Sequence, residues 1–121
     1  MEYRIIIAGS RLFNNYKLLK DKLDFYLINK VAEGYKIIII SGTANGADKL
    51  GEKYAIEKGY SIEKYPANWD IYGKSAGYRR NVEMTKVADA CIVFWDGTSP
   101  GSKHMIDIAN NHKLPLRIVR Y

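Results

Sequence analysis

Residues 36–48 read KIIIISGTANGAD, passing from an unbroken apolar run through a glycine-containing turn into a helical pattern. An apolar run without alternation is typical of a strand covered on both faces, as in parallel sheets. The turn fits neither familiar nucleotide signature, because it has no Lys-Ser or Lys-Thr after its last glycine and lacks the third glycine of the dinucleotide fingerprint. We therefore expect a strand–turn–helix unit of a parallel sheet, with a phosphate-binding turn of another kind.

Short runs rich in β-branched and aromatic residues predict four further strands. They are YRIIIA (3–8), SIEKY (61–65), ACIVFW (90–95) and LRIVRY (116–121). Apolar residues at helical spacing predict crossover helices between the strands, over 19–31, 47–55, 78–87 and 105–112. This alternation predicts a single α/β domain over residues 1–121, with a five-stranded parallel sheet and helices on both faces.

The formal net charge of +6 favours anionic ligands, nucleic acid included. Many of the lysines lie between apolar positions of the predicted helices, so the alternative is a solvated helix surface. Arg11, Arg79 and Arg80 instead lie in or beside glycine-containing turns.

The single cysteine, Cys91, lies in an apolar run, which excludes a disulfide framework and predicts a buried, reduced thiol. No apolar run approaches the roughly 20 residues of a membrane span, and the N-terminal stretch does not resemble a targeting leader. We expect a cytoplasmic protein without a membrane partner.

Ligands of parallel α/β sheets bind beyond the carboxyl ends of the strands. The segments expected at that edge are GSR (9–11), SGTANGAD (41–48), PANWDIYGKSAGYRRN (66–81) and DGTSPGS (96–102). In the first, Gly9 allows a tight turn, Ser10 offers a hydroxyl, and Arg11 presents a planar fork suited to phosphate. An ordinary turn with a solvated arginine is the alternative for this tripeptide.

In the second segment, Gly46 precedes the predicted helix, whose unpaired N–H groups and dipole favour an anion. We expect a methyl group at Gly46 to obstruct that anion more than it harms the fold; the alternative is a turn that needs a positive φ. Asp48 on the first helical turn has two interpretations of equal weight. It either caps the helix, or it binds a ribose hydroxyl or acts as an acid or base.

The third segment is predicted as a long loop over 66–77, and loops longer than about 12 residues are usually functional. Its mixture of basic and aromatic residues could stack a base and hold a phosphate, or grip single-stranded nucleic acid. Alternatively, Trp69 and Tyr72 fold down as a lid over the core.

In the fourth segment, Ser99 and Pro100 predict a helix N-cap and first helical position, and hence a second helix N-terminus at the same edge. Asp96 either binds a sugar hydroxyl or bonds to its own backbone as a turn aspartate. The histidines, His104 and His112, have no partners at metal-ligand spacing, so we expect no metal site.

Together, AGSR, SGTANGAD, YPANWDIYGKSAGYRRNVEM and ADACIVFWDGTSPGSKHMIDIA resemble the YspA-type branch of the SLOG superfamily. The resemblance spans Ile6 to about Pro115. Members are small Rossmann-like domains related to the LOG phosphoribohydrolases and to the nucleotide-binding core of the DNA-processing protein DprA. The resemblance implies the binding or sensing of a nucleotide or a nucleotide-derived, ADP-ribose-like ligand. We expect no cofactor.

LOG enzymes cleave a nucleoside monophosphate into base and ribose phosphate, using a P-G-G-x-G-T-x-x-E loop with a functional glutamate. The counterpart here is SGTANGADKLGE, in which Lys49 or Leu50 lies nearest the glutamate position and Asp48 or Glu52 is a substitute at another spacing. The alternative function is thus an N-glycosidic hydrolase, with Asp48 or Asp96 as candidate catalytic acid. A third possible function is the binding of single-stranded nucleic acid. The protein could also assemble as a homo-oligomer.

The predicted site holds phosphate near Gly46 with help from Ser10 and Arg11, while Trp69 closes over the ligand. The full set of predicted ligand-binding residues is Gly9, Ser10, Arg11, Ser41, Gly42, Thr43, Asn45, Gly46, Asp48, Trp69, Lys74, Arg80, Asn81, Asp96, Gly97, Ser99 and Gly101.

Overall fold

The computed structural model describes all residues from Met1 to Tyr121. It has five strands, β1 Glu2–Gly9, β2 Lys36–Ser41, β3 Ser61–Lys64, β4 Ala90–Trp95 and β5 Leu116–Arg120. Its α-helices are α1 Tyr16–Ala32, α2 Ala47–Lys58, α3 Trp69–Tyr72, α4 Ala76–Val87 and α5 Pro100–Asn111. None of these helices has the length and apolar character that crossing a membrane requires.

All five strands are parallel and lie in the order β3-β2-β1-β4-β5. In the central strand β1, Ile5 lies between Ile39 of β2 and Ala90 of β4. The chain builds the sheet outward through β2 and β3, then returns to the other side of β1 to add β4 and β5. The strand order therefore reverses between β1 and β4, where parallel α/β sheets form their binding crevice.

The isoleucine-rich strands are buried on both faces, as their lack of alternation predicts. Ile5 and Ile7 of β1 pack with residues of α1 and α2, whereas Ile6 and Ala8 pack with residues of α4 and α5. Cys91 in β4 is a buried free thiol, 2% exposed. The predicted fold class, a five-stranded parallel sheet with helices on both faces, is confirmed.

The prediction of a long loop over 66–77 is wrong, because this connection is helical. Asn68 caps α3 by accepting a hydrogen bond from the Ile71 N–H, a 3₁₀ turn follows over Gly73–Ser75, and α4 begins at Ala76. No residue of α3 or of the 3₁₀ turn is buried. Such short turns depend on local caps and carry no apolar periodicity, so the pattern of the sequence does not reveal them.

Candidate functional site

A cavity of about 410 Å³ opens at the carboxyl edge of the sheet, where the loops after β1 and β4 meet the first turns of α4 and α5. This is the side of the sheet at which the strand order reverses. Eleven of the predicted site residues line it: Gly9, Ser10, Arg11, Asp48, Trp69, Lys74, Arg80, Asn81, Asp96, Ser99 and Gly101. Six predicted residues lie outside its wall: Ser41, Gly42, Thr43, Asn45, Gly46 and Gly97.

Ser10 joins the loop after β1 to the loop after β4. Its side chain is buried, its N–H donates to the Phe94 carbonyl at 2.9 Å, and its hydroxyl accepts from the Asp96 N–H at 3.1 Å. The hydroxyl also lies 3.1 Å from the Ser99 hydroxyl. Gly9 permits this junction, because a Cβ there would lie 2.8 Å from the Ala47 Cβ and would overlap the Phe94 carbonyl.

Asp96 has the geometry of a turn aspartate. Its Oδ1 accepts from the N–H groups of Ser99 at 2.8 Å and Thr98 at 2.9 Å, and its Oδ2 accepts from the Ser99 hydroxyl at 2.8 Å. The Ser99 N–H, with the Thr98 N–H and the Ser99 hydroxyl, holds the pKa of Asp96 well below its usual range. A carboxyl that stays ionised is a poor proton donor, which argues against Asp96 as the catalytic acid.

The N-terminus of α5 is open toward the cavity. Ser99 occupies the N-cap position and Pro100 begins the helix, as the sequence predicts, but the Ser99 hydroxyl is bonded to Asp96 and caps no helical N–H. The N–H groups of Gly101 and Ser102 have no acceptor in the protein. A Cβ on Gly101 would meet nothing within 4 Å. This helix end can therefore accept an anion directly on its backbone.

The N-terminus of α2 differs from the expectation, since the backbone of Ser10 and Arg11 packs against its first residues. The Ala47 N–H donates to the Ser10 carbonyl at 3.4 Å, and a Cβ on Gly46 would lie 2.6 Å from the Arg11 carbonyl oxygen. Gly46 also has a φ of +80°. Both the turn and the close backbone packing therefore require glycine at position 46. The expectation that a methyl group there would leave the stability of the fold almost unchanged is wrong.

The hydroxyl of Ser41 is directed into the protein. Ser41 is fully buried, its Oγ donates to Glu52 Oε2 at 2.7 Å, and it accepts from the Thr43 N–H at 3.0 Å. Thr43 itself has a φ of +64°, and Asn45 is exposed away from the cavity. These contacts give the first part of the turn a structural role, which glycine and hydroxyl composition alone does not distinguish from phosphate binding.

Asp48 and Arg80 converge at the inner wall of the cavity. Asp48 is 5% exposed, and its Oδ2 accepts from the Ala44 N–H at 3.2 Å. Burial raises the pKa of Asp48 to about 6, although the Ala44 N–H and the Arg80 guanidinium both favour its ionised form. Arg80 Nη1 donates to the Gly42 carbonyl, and burial lowers the pKa of this guanidinium. A Cβ on Gly42 would lie 2.8 Å from Asp48 Oδ2, so glycine makes room for the pair.

Two aromatic rings form the outer part of the wall. Trp69 is 50% exposed, and Tyr78 is 45% exposed with its ring stacked on His104 at 4.2 Å between centroids. Arg79 faces away, since its guanidinium lies 4.4 Å from the centroid of the Tyr72 ring. The two adjacent arginines therefore point in different directions, as helical geometry predicts.

Sequence reasoning missed several residues of the wall, which are Ala8, Leu12, Ala44, Gly77, Tyr78, Met84, Pro100, Ser102 and Met105. A signal for some of them was present, because Gly77, Asn81 and Met84 recur at helical spacing and so share one face of α4. The predicted loop over 66–77 hid this face, since it placed Gly77 outside the helix.

Comparison with known proteins decides the family. The model of the YspA, cpYpsA-related SLOG family matches residues 3–72. The Gene 61 protein of Mycobacterium phage D29 is 31% identical over 119 residues, which cover 93% of each chain. The chain belongs to the YspA-related SLOG family. The family match runs from β1 to the end of α3 and includes the turn at Gly46.

Two solved structures share the fold of this SLOG protein. DprA, a DNA processing protein from Streptococcus pneumoniae, superposes with a TM-score of 0.69 over 98% of this chain and 50% of its own, at 16% identity. The structural-genomics target TM1055 gives a TM-score of 0.66 over 96% of this chain and 72% of its own, at 15% identity. At such low identities the likeness concerns the fold, and it confirms the Rossmann-like architecture.

Proposed function

We propose that this SLOG protein binds a nucleotide or a nucleotide-derived ligand, such as an ADP-ribose derivative, in the cavity between β1 and β4. The observation that carries the proposal is the open N-terminus of α5, where the N–H groups of Gly101 and Ser102 have no acceptor. A phosphate there would receive backbone hydrogen bonds and the positive end of the helix dipole. The volume of about 410 Å³ lies within the range of small-molecule sites.

The charges around the cavity support an anionic ligand. Arg11 and Lys74 line the cavity and form no ion pair with any carboxylate of the chain. Asp96 is already satisfied by three hydrogen bonds from its own loop. A phosphate would thus meet the free cationic side chains of Arg11 and Lys74, while the carboxylate of Asp96 is held by the hydrogen-bond donors of its own loop.

The aromatic residues support a base as the second part of the ligand. Trp69 and Tyr78 line the cavity and are each about half exposed, whereas Trp95 packs under the Arg120 guanidinium outside it. Stacking on an aromatic ring contributes about 1–3 kcal/mol per base. Phosphate at α5 and base at these rings would place the ribose across the cavity.

The experiment compares two nearly isosteric substitutions at the phosphate position. Gly101→Asp puts a carboxylate at the helix N-terminus, where it satisfies the dipole and competes with phosphate; Gly101→Asn adds the same bulk without the charge. We expect ADP-ribose to raise the melting temperature of the wild type, to have a reduced effect on Gly101→Asn, and to have none on Gly101→Asp. Equal stabilisation of both variants by ADP-ribose would contradict phosphate binding at α5.

A second candidate function is nucleotide N-glycosidic hydrolysis, which Asp48 favours. This buried carboxyl lines the cavity with a pKa raised to about 6, so a fraction of it can donate a proton near neutral pH. The test is incubation with AMP and chromatography of the products. Pure binding predicts little or no free adenine, whereas release that disappears in Asp48→Asn would establish hydrolysis.

The salt dependence of binding tests whether single-stranded nucleic acid is the ligand. If the surface lysines only solvate the helices, binding of single-stranded DNA should be weak, fall steeply with salt and show no sequence preference. Tight binding that survives moderate salt and is lost in Trp69→Ala would instead favour a nucleic-acid function, because stacking is much less sensitive to salt than phosphate contacts.

A further inference from the structure

Three side chains beside the cavity, those of Arg80, Asn81 and His104, form a hydrogen-bonded row from α4 to α5. Asn81 is 7% exposed and lies between Arg80 and His104. Its Oδ1 accepts from Arg80 Nε at 3.0 Å, and its Nδ2 lies 3.2 Å from His104 Nδ1. This row of hydrogen bonds links Arg80, in the wall of the cavity, to His104 outside it.

The chemistry of these groups fixes the proton on His104. A guanidinium Nε–H can only donate, so the amide oxygen of Asn81 must face it and the amide nitrogen must face His104. Because the amide nitrogen is also only a donor, His104 Nδ1 must be an acceptor. His104 is therefore neutral in this arrangement and carries its proton on Nε2.

We propose that His104, acting through Asn81, is a positioning residue for Arg80, and that only neutral His104 holds Arg80 in place to receive an anionic ligand. The inference rests on the proposed function. Arg80 Nη1 donates to the Gly42 carbonyl, so the bond from Nε to Asn81 is the second point that orients the guanidinium. Arg80 Nη2 has no acceptor in the protein and stays free for a ligand beside Gly77.

Protonation of His104 would break this arrangement. Imidazolium carries protons on both ring nitrogens, so an N–H would face the amide N–H of Asn81. If the amide rotated, its nitrogen would face the Arg80 Nε–H instead. Rotation of the amide would relieve the clash with His104 but would cost Arg80 its second contact. An anion in the cavity would then be bound less firmly.

The surroundings of His104 place this change below the ordinary pKa of a histidine. Burial lowers the pKa of His104, whereas Asp107, one turn along α5, raises it. Asp107 is itself paired with Lys103 at 2.6 Å. From α4, the neutral Tyr78 ring stacks on the imidazole, and Asn81 contacts it. The pKa falls below the ordinary 6.5, so neutral His104 prevails at pH 7.

The first test concerns the free protein and needs no ligand. Asn81→Asp replaces the amide by a carboxylate, which accepts hydrogen bonds from both Arg80 and protonated His104. We expect NMR titration to show the pKa of His104 raised by about one unit in this variant. An unchanged pKa of His104 would overturn the inference.

The second test measures ADP-ribose affinity by calorimetry between about pH 5 and pH 8, where the pyrophosphate charge of this probe is constant. We expect wild-type affinity to fall roughly tenfold as His104 becomes protonated. In His104→Asn the amide Oδ1 takes the position of the imidazole Nδ1 and accepts from Asn81 at every pH, so this fall should be absent. His112→Asn, the control at the other histidine, should keep it. Asp48 also titrates near pH 6, and its contribution is common to all three proteins.

Linkage supplies a reciprocal measurement. If affinity falls tenfold on protonation, saturating ADP-ribose must lower the pKa of His104 by about one unit. Binding with the same pH profile in wild type and His104→Asn would overturn the inference and leave the proposed function intact. If ADP-ribose binds at no pH, the proposed function fails, while the titration of Asn81→Asp still decides the link between His104 and Asn81.

Discussion

Gly46→Ala should destabilise the protein strongly. At φ +80° and ψ −128° Gly46 occupies a region that L-residues avoid at a cost of about 1–3 kcal/mol. The added Cβ would also overlap the Ser10 carbonyl and lie 2.6 Å from the Arg11 carbonyl oxygen. Backbone atoms cannot move aside as a side chain can, so we add a packing cost of about 1–3 kcal/mol. The total is about 4 kcal/mol.

Two other glycines separate these contributions. Gly59→Ala also places alanine at a positive φ, +73°, but in the left-handed region that L-residues can occupy, and its Cβ would have nothing within 4 Å. We expect a cost of about 1–2 kcal/mol. Gly101→Ala has neither penalty and lies in the first turn of α5, where alanine is the better helix former. It should leave stability unchanged or raise it by up to about 1 kcal/mol.

The assay is urea unfolding followed by circular dichroism, with thermal unfolding as a second measure. For a chain of 121 residues, 4 kcal/mol corresponds to a fall in Tm of about 15 °C. If Gly46→Ala and Gly59→Ala unfold at the same urea concentration, the backbone of Ser10 and Arg11 does not cover Gly46. The N-terminus of α2 would then be as open to an anion as that of α5.

Two further predictions concern buried titratable groups. Because burial raises the pKa of Asp48 to about 6 in the folded state, ionised Asp48 costs stability as pH rises from about 4 to about 6. Asp48→Asn should therefore gain up to about 3 kcal/mol relative to wild type at pH 7.5 and little at pH 4, measured by urea unfolding. Equal differences at both pH values would contradict this. Burial also raises the pKa of the Cys91 thiol to about 12, so iodoacetamide should modify Cys91 only after unfolding, as followed by mass spectrometry.

Most of the fold could be predicted, because its elements have strong periodic patterns. The Ile37–Ile40 run has no alternation, and a strand of this kind needs a helix on each face of the sheet. Leu19, Leu23 and Leu27 recur at helical spacing and form the buried face of α1. The connection from Trp69 to Ser75 could not be predicted, since its short turns are stabilised by hydrogen bonds between neighbouring residues and bury no side chain.

The candidate site was predicted in outline. Placing function after each strand located Arg11, Asp48 and Arg80 at one cavity, since parallel strands bring their carboxyl ends to one edge. Which helix end is open could not be read from residue types. SGTANGAD and DGTSPGS both offer glycine and hydroxyls before a helix, and only packing shows that Ser10 and Arg11 cover the first of them.

The sequence by itself determined the order of strands and helices, the apolar surfaces and the segments that meet at the functional edge. These follow from local pattern and from the rule that parallel strands end together. Tertiary structure alone decided that α5 presents its N–H groups, that Asp96 is bound by its own loop, and that Asn81 joins Arg80 to His104. The reason is physical: a hydrogen bond or a backbone contact across the sheet depends on distances of a few tenths of an ångström between segments far apart in the chain.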